Sequence, residues 1–162
     1  MTVAEQEHSG GHLLLVLHPG GVACGERGER FETLLGSCVA IVLTDPRRTV
    51  GAMCHIVHAM PAPAGRHDDA TYADAALRQM NQRLRARGLQ PGQCEAYVYG
   101  GGNMFPRVYP QQSIGTRNVD WVLDALAATG VRVLQHDVGG NTYRRLRWTV
   151  GSDAPTVTAM PI

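Results

Sequence analysis

The sequence predicts an α+β domain in which mixed β-sheets are flanked by helices. Three observations lead there. Valine- and isoleucine-rich runs double back across turn signals, two stretches carry apolar residues at helical spacing, and strand-like segments outnumber helical ones without alternating with them.

Taken in order, His12 to Leu17 is a short apolar strand. Cys38 to Thr44 is apolar and β-branched, as a buried strand should be, and Asp45-Pro46 opens a turn followed by two arginines. Val50 to Val57 returns as the second arm of a hairpin. Met60 to Asp69, with two prolines and a glycine, is a loop. A helix follows over Tyr72 to Arg87, with Leu77, Met80 and Leu84 on one face, Thr71 to cap its start and Gly88 to end it. Glu95 to Tyr99 is a strand running into Gly100-Gly101-Gly102. A second helix over about Arg117 to Ala128 would bury Val119, Val122, Leu123 and Leu126 and stop at Gly130. Val131 to Val138 and Tyr143 to Val150 are strands flanking the turn Gly139-Gly140-Asn141.

The chain has 162 residues, 44% hydrophobic and 18% charged, which fits one globular domain over 1–162 with a flexible N-terminal end. A formal net charge of +1 gives no electrostatic case for binding nucleic acid or a membrane surface. The apolar run Leu13 to Leu17 is too short to span a bilayer, so no membrane insertion is expected. The start MTVAEQEH does not read as a signal peptide, and the expected compartment is the cytoplasm.

Cysteines stand at 24, 38, 54 and 94, with no C-x-x-C spacing. In a reducing compartment each is either a small buried residue or a reactive thiol. Cys38 enters its strand behind Gly36 and Ser37, whose small side chains admit a substrate and leave backbone N–H groups within reach of an oxyanion. His55 lies seventeen positions on. In an antiparallel hairpin turning near Pro46 to Arg48, Cys38 and His55 fall near the same open end, where a neutral imidazole could take the thiol proton and lower the cysteine pKa. The competing possibility is two ordinary residues of a buried hairpin. In a regular strand His58 points to the face opposite His55, and Cys54, next to His55, points away into the core.

Cys54, His55, His58, His67, His8, His12 and His18 offer metal-ligand types, but none forms a paired zinc spacing, and neither metal nor organic cofactor is expected. The triple glycine lacks the residues of a phosphate loop and reads as a tight turn or close packing. Arg144, Arg145 and Arg147 read as a solvated strand face, with a patch for an acidic partner as the alternative.

The blocks LLGSCVAIVLTDP, GAMCHIV, YGGGNMF, IGTRNVDWVLDAL and DVGGNTYRR, in that order from about Phe31 to Val150, resemble the CheD family of chemoreceptor glutamine deamidases. The resemblance implies a cysteine-hydrolase fold like that of the cytotoxic-necrotizing-factor deamidases, with Cys38 as nucleophile and His55 as base. The family's third catalytic residue is a threonine six positions before the cysteine. Here Glu32 holds that position and Thr33 follows it. A regular strand up to Cys38 would turn Glu32 toward the cysteine, whereas a bulge at Gly36 would turn Thr33 inward. Thr33 is favoured, because a carboxylate beside a thiolate raises the cysteine pKa.

The expected function is therefore deamidation of glutamine side chains on methyl-accepting chemoreceptors, tuning adaptation. The resemblance implies the helical cytoplasmic domains of those receptors as partners, with a chemotaxis phosphatase as a further one. The alternative is a catalytically weak module that binds receptor or phosphatase, suggested by Glu32 at the threonine's place. A peptidase or acyltransferase with the same Cys-His pair has only generic chemistry behind it.

Overall fold

A computed structural model of the chain describes residues 4–9, 12–108 and 113–162. In chain order the elements are β1 (Ala4–Ser9), β2 (His12–Leu17), β3 (Val22–Glu26), β4 (Arg30–Leu35), β5 (Val39–Thr44), β6 (Val50–Ile56), α1 (Ala73–Ala86), β7 (Glu95–Gly100), α2 (Ile114–Ala128), β8 (Arg132–Val138), β9 (Thr142–Thr149) and β10 (Thr156–Pro161). They form two five-stranded sheets, ordered β1-β2-β4-β9-β10 and β3-β6-β5-β7-β8. Both sheets are mixed: β2 runs parallel to β4 and β7 parallel to β8, while the other neighbours are antiparallel. The α+β class expected from the sequence is the observed one. The N-terminal end, expected to be flexible, contributes the edge strand β1, and residues 1–3 lie outside the described residues.

The layers follow from the alternation of side chains along β5 and β6, which are buried on both faces. Val39, Ile41 and Leu43, with Ala52, Cys54 and Ile56, face α1 and α2 and pack with Met80, Leu84, Val122 and Leu126. Ala40, Val42 and Met53 face the other sheet and pack with Leu17, Phe31, Leu146 and Trp148. Removing each of these large side chains from water is worth roughly 1.5–3 kcal/mol. Gly51 is needed between the sheets, because a Cβ there would stand 2.0 Å from the Trp148 ring.

The hairpin β5–β6 turns where expected. The Asp45 carboxylate accepts from Thr49 N at 2.8 Å and Val50 N at 3.0 Å, closing the turn from inside. Its register pairs Ala40 with His55. Helix α1 keeps its apolar face on Met80 and Leu84, but Thr71 does not cap it. The Thr71 hydroxyl donates to Asp69, and Tyr72 holds the cap position without a side-chain bond. Helix α2 begins earlier than expected, at Ile114, because Ser113 accepts from Thr116 N at 3.2 Å. Gly88 and Gly130, with φ of 81° and 77°, end the helices as expected. No helix among the described residues is long and apolar enough to cross a membrane.

Candidate active site

The chain passes from the first sheet to the second between Leu35 and Val39, and this crossing places Cys38. Gly36, Ser37 and Cys38 form a bend that belongs to neither sheet. The bend is held from behind by the triple glycine: Gly102 N donates to Gly36 O at 2.9 Å and Gly101 N to Cys38 O at 2.8 Å. The approach is close enough to require glycine at position 100, where φ is 110° and a Cβ would lie 2.2 Å from Cys38 O. The triple glycine is thus close packing against the cysteine's own backbone.

Cys38 is half-buried, and its side chain packs on the inter-sheet cluster. With His55, His18, Pro19, Leu34, Val16 and Leu17 it lines a cavity of about 240 Å³. Among the described residues, larger hollows of about 530, 590 and 350 Å³ lie beside Trp148 and Asp153, between the two helices, and beside Glu26 and Thr49, and none of them has a cysteine or histidine in its lining.

His55 is buried on the face of β6 that meets the first sheet. Its main chain is fixed by the turn after β2: Gly20 N donates to His55 O at 2.9 Å, and His55 N to Gly21 O at 3.1 Å. The ring Nδ1 stands 2.8 Å from Thr33 Oγ1. Thr33 Oγ1 in turn donates to Leu17 O at 2.7 Å. A carbonyl can only accept, so the single hydroxyl proton goes to Leu17, and the threonine oxygen must accept from Nδ1–H. This selects the tautomer whose Nε2 carries the lone pair. His55 Nε2 is buried and has no hydrogen-bond partner among the described residues.

Burial drives the His55 pKa down to about 4, and the nearby His18 adds to the fall. Burial also pushes the Cys38 thiol up. Burial thus favours the uncharged thiol and the neutral imidazole, where the sequence led us to expect a cysteine pKa lowered by an ion pair. Two groups withdrawn from water disfavour charge on both.

Thr33, fully buried, is the residue that meets His55. Glu32 faces the other side of β4, with its carboxylate 3.5 Å from Arg145 Nε and 3.4 Å from Arg147 Nε. Neither a regular strand nor a bulge describes this segment. Counting alternation from Glu32 to Cys38 fails because the strand of Glu32 ends at Leu35 and Cys38 lies in the bend before the next sheet.

Cys54, Cys94 and His58 stand apart from this arrangement. Cys54 is buried against the helices, its pKa pushed up to about 12 by burial. Cys94 is buried as well, and burial followed by the Asp45 charge raises it to about 11. His58 is exposed and its ring lies 4.7 Å from that of Tyr72. Among the described residues no group of three or more His, Cys, Asp or Glu could hold a metal ion; the side chains of His8 and His12 lie outside the described ones.

Arg144 corrects the expectation of a solvated arginine face. It is buried, and it donates to Gly100 O at 3.3 Å, Gly139 O at 2.8 Å and Asp137 Oδ1 at 3.2 Å. Its alternation with the buried Leu146 and Trp148 is the signal that could have revealed it. Asn118 was also missed. It is buried and donates to Ser37 O at 3.1 Å and Val57 O at 3.0 Å, while accepting from Ala59 N at 3.0 Å. Its signal was a polar residue on the 118, 122, 126 stripe of α2.

The family model described as CheD chemotactic sensory transduction matches residues 59–158, a stretch that begins after His55. The chain is 36% identical over 138 residues to the probable chemoreceptor glutamine deamidase CheD 3 of Dechloromonas aromatica, covering 84% of this chain and 81% of that protein. It is 30% identical over 153 residues to the probable chemoreceptor glutamine deamidase CheD of Pseudomonas fluorescens, covering 91% and 85%. To the chemoreceptor glutamine deamidase CheD of Thermotoga maritima it is 36% identical over 117 residues, covering 72% of each. Among solved structures it is similar to the Bacillus licheniformis hypothetical protein YfiH, with a TM-score of 0.47 and 15% identity, over 72% of this chain and 49% of that one.

Proposed function

The chain belongs to the CheD family, and on that premise we propose that it is a cysteine-dependent amidohydrolase converting glutamine side chains of chemoreceptors to glutamate. The observation that carries the proposal is the hydrogen bond from His55 Nδ1 to Thr33 Oγ1, which leaves the buried Nε2 lone pair unpartnered in a protein whose Cys38 and His55 line one cavity.

In the proposed reaction His55 Nε2 takes the Cys38 proton as Sγ attacks the side-chain amide carbon. Proton transfer accompanies the attack, since both groups rest neutral. Backbone N–H groups near Cys38 hold the oxyanion. The protonated Nε2 then gives its proton to the departing nitrogen, and ammonia leaves a thioester behind. His55 next takes a proton from water as its oxygen attacks the thioester carbon. Collapse of that adduct breaks the C–S bond, frees glutamate and returns the proton to sulfur. Thr33 Oγ1 keeps the ring oriented throughout and accepts from Nδ1–H while the imidazolium exists.

The chain would act as one domain in the cytoplasm, where the helical parts of methyl-accepting receptors stand, and the new glutamates would be open to methylation and so tune adaptation. Exposed apolar side chains near Cys38 support docking of such a helix: Leu34 borders the cavity, while Tyr143 packs, with the half-buried Met104, around Gly36. The chemistry uses no metal or organic cofactor. The alternative of a catalytically weak module binding receptor or a chemotaxis phosphatase drew on Glu32, and with Thr33 beside His55 that ground falls away.

Ammonia release from a purified receptor cytoplasmic fragment tests the proposal. Stoichiometric release by the wild-type protein, with a one-dalton gain on named glutamines, is expected. Binding of the fragment without any release would overturn it in favour of the binding module.

A further inference from the structure

Three successive carbonyls in the Gly36–Ser37–Cys38 bend are tied to three different donors. Gly36 O faces Gly102 N, Cys38 O faces Gly101 N, and Ser37 O faces Asn118 Nδ2. Every peptide bond among the described residues is trans, so each N–H points opposite to the carbonyl of the same peptide unit. The Ser37 N–H therefore points away from the glycine loop, and the Cys38 N–H away from α2. Among the described residues neither donates to a backbone acceptor. Helix α2 covers one face of the second sheet, whereas the Cys38 side chain packs on the other, inter-sheet face. The Cys38 N–H is thereby aimed to the side on which Cys38 and His55 line their cavity.

We propose that Asn118 is a positioning residue: by drawing the Ser37 carbonyl toward α2, it orients the Cys38 N–H to receive the oxyanion formed when Cys38 attacks an acyl carbon. This rests on Cys38 being the nucleophile. The orientation of the Asn118 amide is set by its partners, because two carbonyls can only accept and the Ala59 N–H can only donate. The same side chain links the nucleophile's bend to the segment leaving β6, the strand of His55.

The test compares two reactions of Cys38 in full-length protein. With p-nitrophenyl acetate, the Sγ–C bond forms through a tetrahedral oxyanion, the thiol proton passes to His55 Nε2, and p-nitrophenolate leaves with the electrons of the broken C–O bond. With iodoacetamide, the thiol proton passes to His55 Nε2, the Sγ–CH2 bond forms, iodide leaves with the electrons of the broken C–I bond, and no oxyanion arises. Asn118→Ala should slow acylation by about a hundredfold, as loss of an oxyanion donor does elsewhere, while alkylation keeps its rate. Should Asn118→Ala fail to fold, Asn118→Ser serves, because its hydroxyl is too short to reach Ser37 and Val57 together. Acylation and alkylation falling by equal factors, or neither falling, would overturn the assignment. So would wild-type acylation no faster, relative to alkylation, than that of a free thiol. Wild-type protein that shows the acylation effect yet releases no ammonia from receptor would refute the proposed substrate and leave the role of Asn118 standing.

Discussion

Thr33 Oγ1 lies 2.8 Å from His55 Nδ1 and gives its own proton to the Leu17 carbonyl 2.7 Å away, so the hydroxyl can only accept from the ring. A residue of the first sheet thereby decides which nitrogen of a histidine in the second sheet carries the lone pair. Two substitutions separate this hydroxyl from its neighbour. Thr33→Val keeps the shape, loses the acceptor and leaves Leu17 O and Nδ1–H unpartnered in the interior. It should lower ammonia release by about tenfold to a hundredfold and cost about 1–3 kcal/mol of stability. Thr33→Ser should restore most of the activity. Glu32→Gln, which removes a charge facing Arg145 and Arg147, should leave turnover unchanged. A larger loss for Glu32→Gln than for Thr33→Val would reverse the assignment.

Cys38→Ala removes the proposed nucleophile and little else, since the side chain is half-buried in a bend. Deamidation of a receptor fragment should fall by roughly a thousandfold or more, with the thermal transition close to that of wild type. Conversion at a near wild-type rate, read by mass spectrometry of the target peptides, would rule Cys38 out.

Thiol labelling should follow access. Cys38 lines a cavity, whereas Cys54 and Cys94 are buried and their thiols are pushed up to about 12 and about 11. Mild alkylation of the folded protein should therefore modify Cys38 ahead of both, and His55→Ala should slow it by removing the base. Peptide mapping that finds Cys54 or Cys94 modified first would contradict the site.

The buried imidazole makes stability depend on pH in a defined direction. In the unfolded chain His55 binds a proton below its ordinary value of 6.5, but in the folded protein only below about 4. Between these values the unfolded state holds more protons, so stability rises with pH across the window and is lost as pH falls from 6.5 toward 4. The loss is on the order of 3 kcal/mol, and His55→Gln should abolish that share of it. Denaturant unfolding of both proteins at about pH 7.5 and about pH 4.5 measures it, and equal slopes for the two would refute the depressed pKa. The acid limb of kcat/KM should likewise lie well below 6.5.

Much of this molecule could be read from local pattern alone. The β-branched runs around Asp45-Pro46 specified the hairpin, and the hairpin alone brings Cys38 and His55 to one end. Helical spacing found α1 and α2, and Gly88 and Gly130 marked their ends. These succeed because turn chemistry and side-chain period are properties of neighbours in sequence. Three strands, β1, β3 and β10, escaped notice. Ala4–Ser9, Val22–Glu26 and Thr156–Pro161 are short edge strands with weak apolar signals, and β4 leads into a bend that hid its end. The tertiary structure alone decided that Thr33 rather than Glu32 meets His55, because the chain changes sheets at Gly36–Cys38 and alternation cannot be counted across a crossing. It alone buried Arg144 and Asn118, whose partners Gly100 O, Ser37 O and Val57 O lie tens of residues away in sequence and come within reach only when the glycine loop, the cysteine bend and α2 pack together.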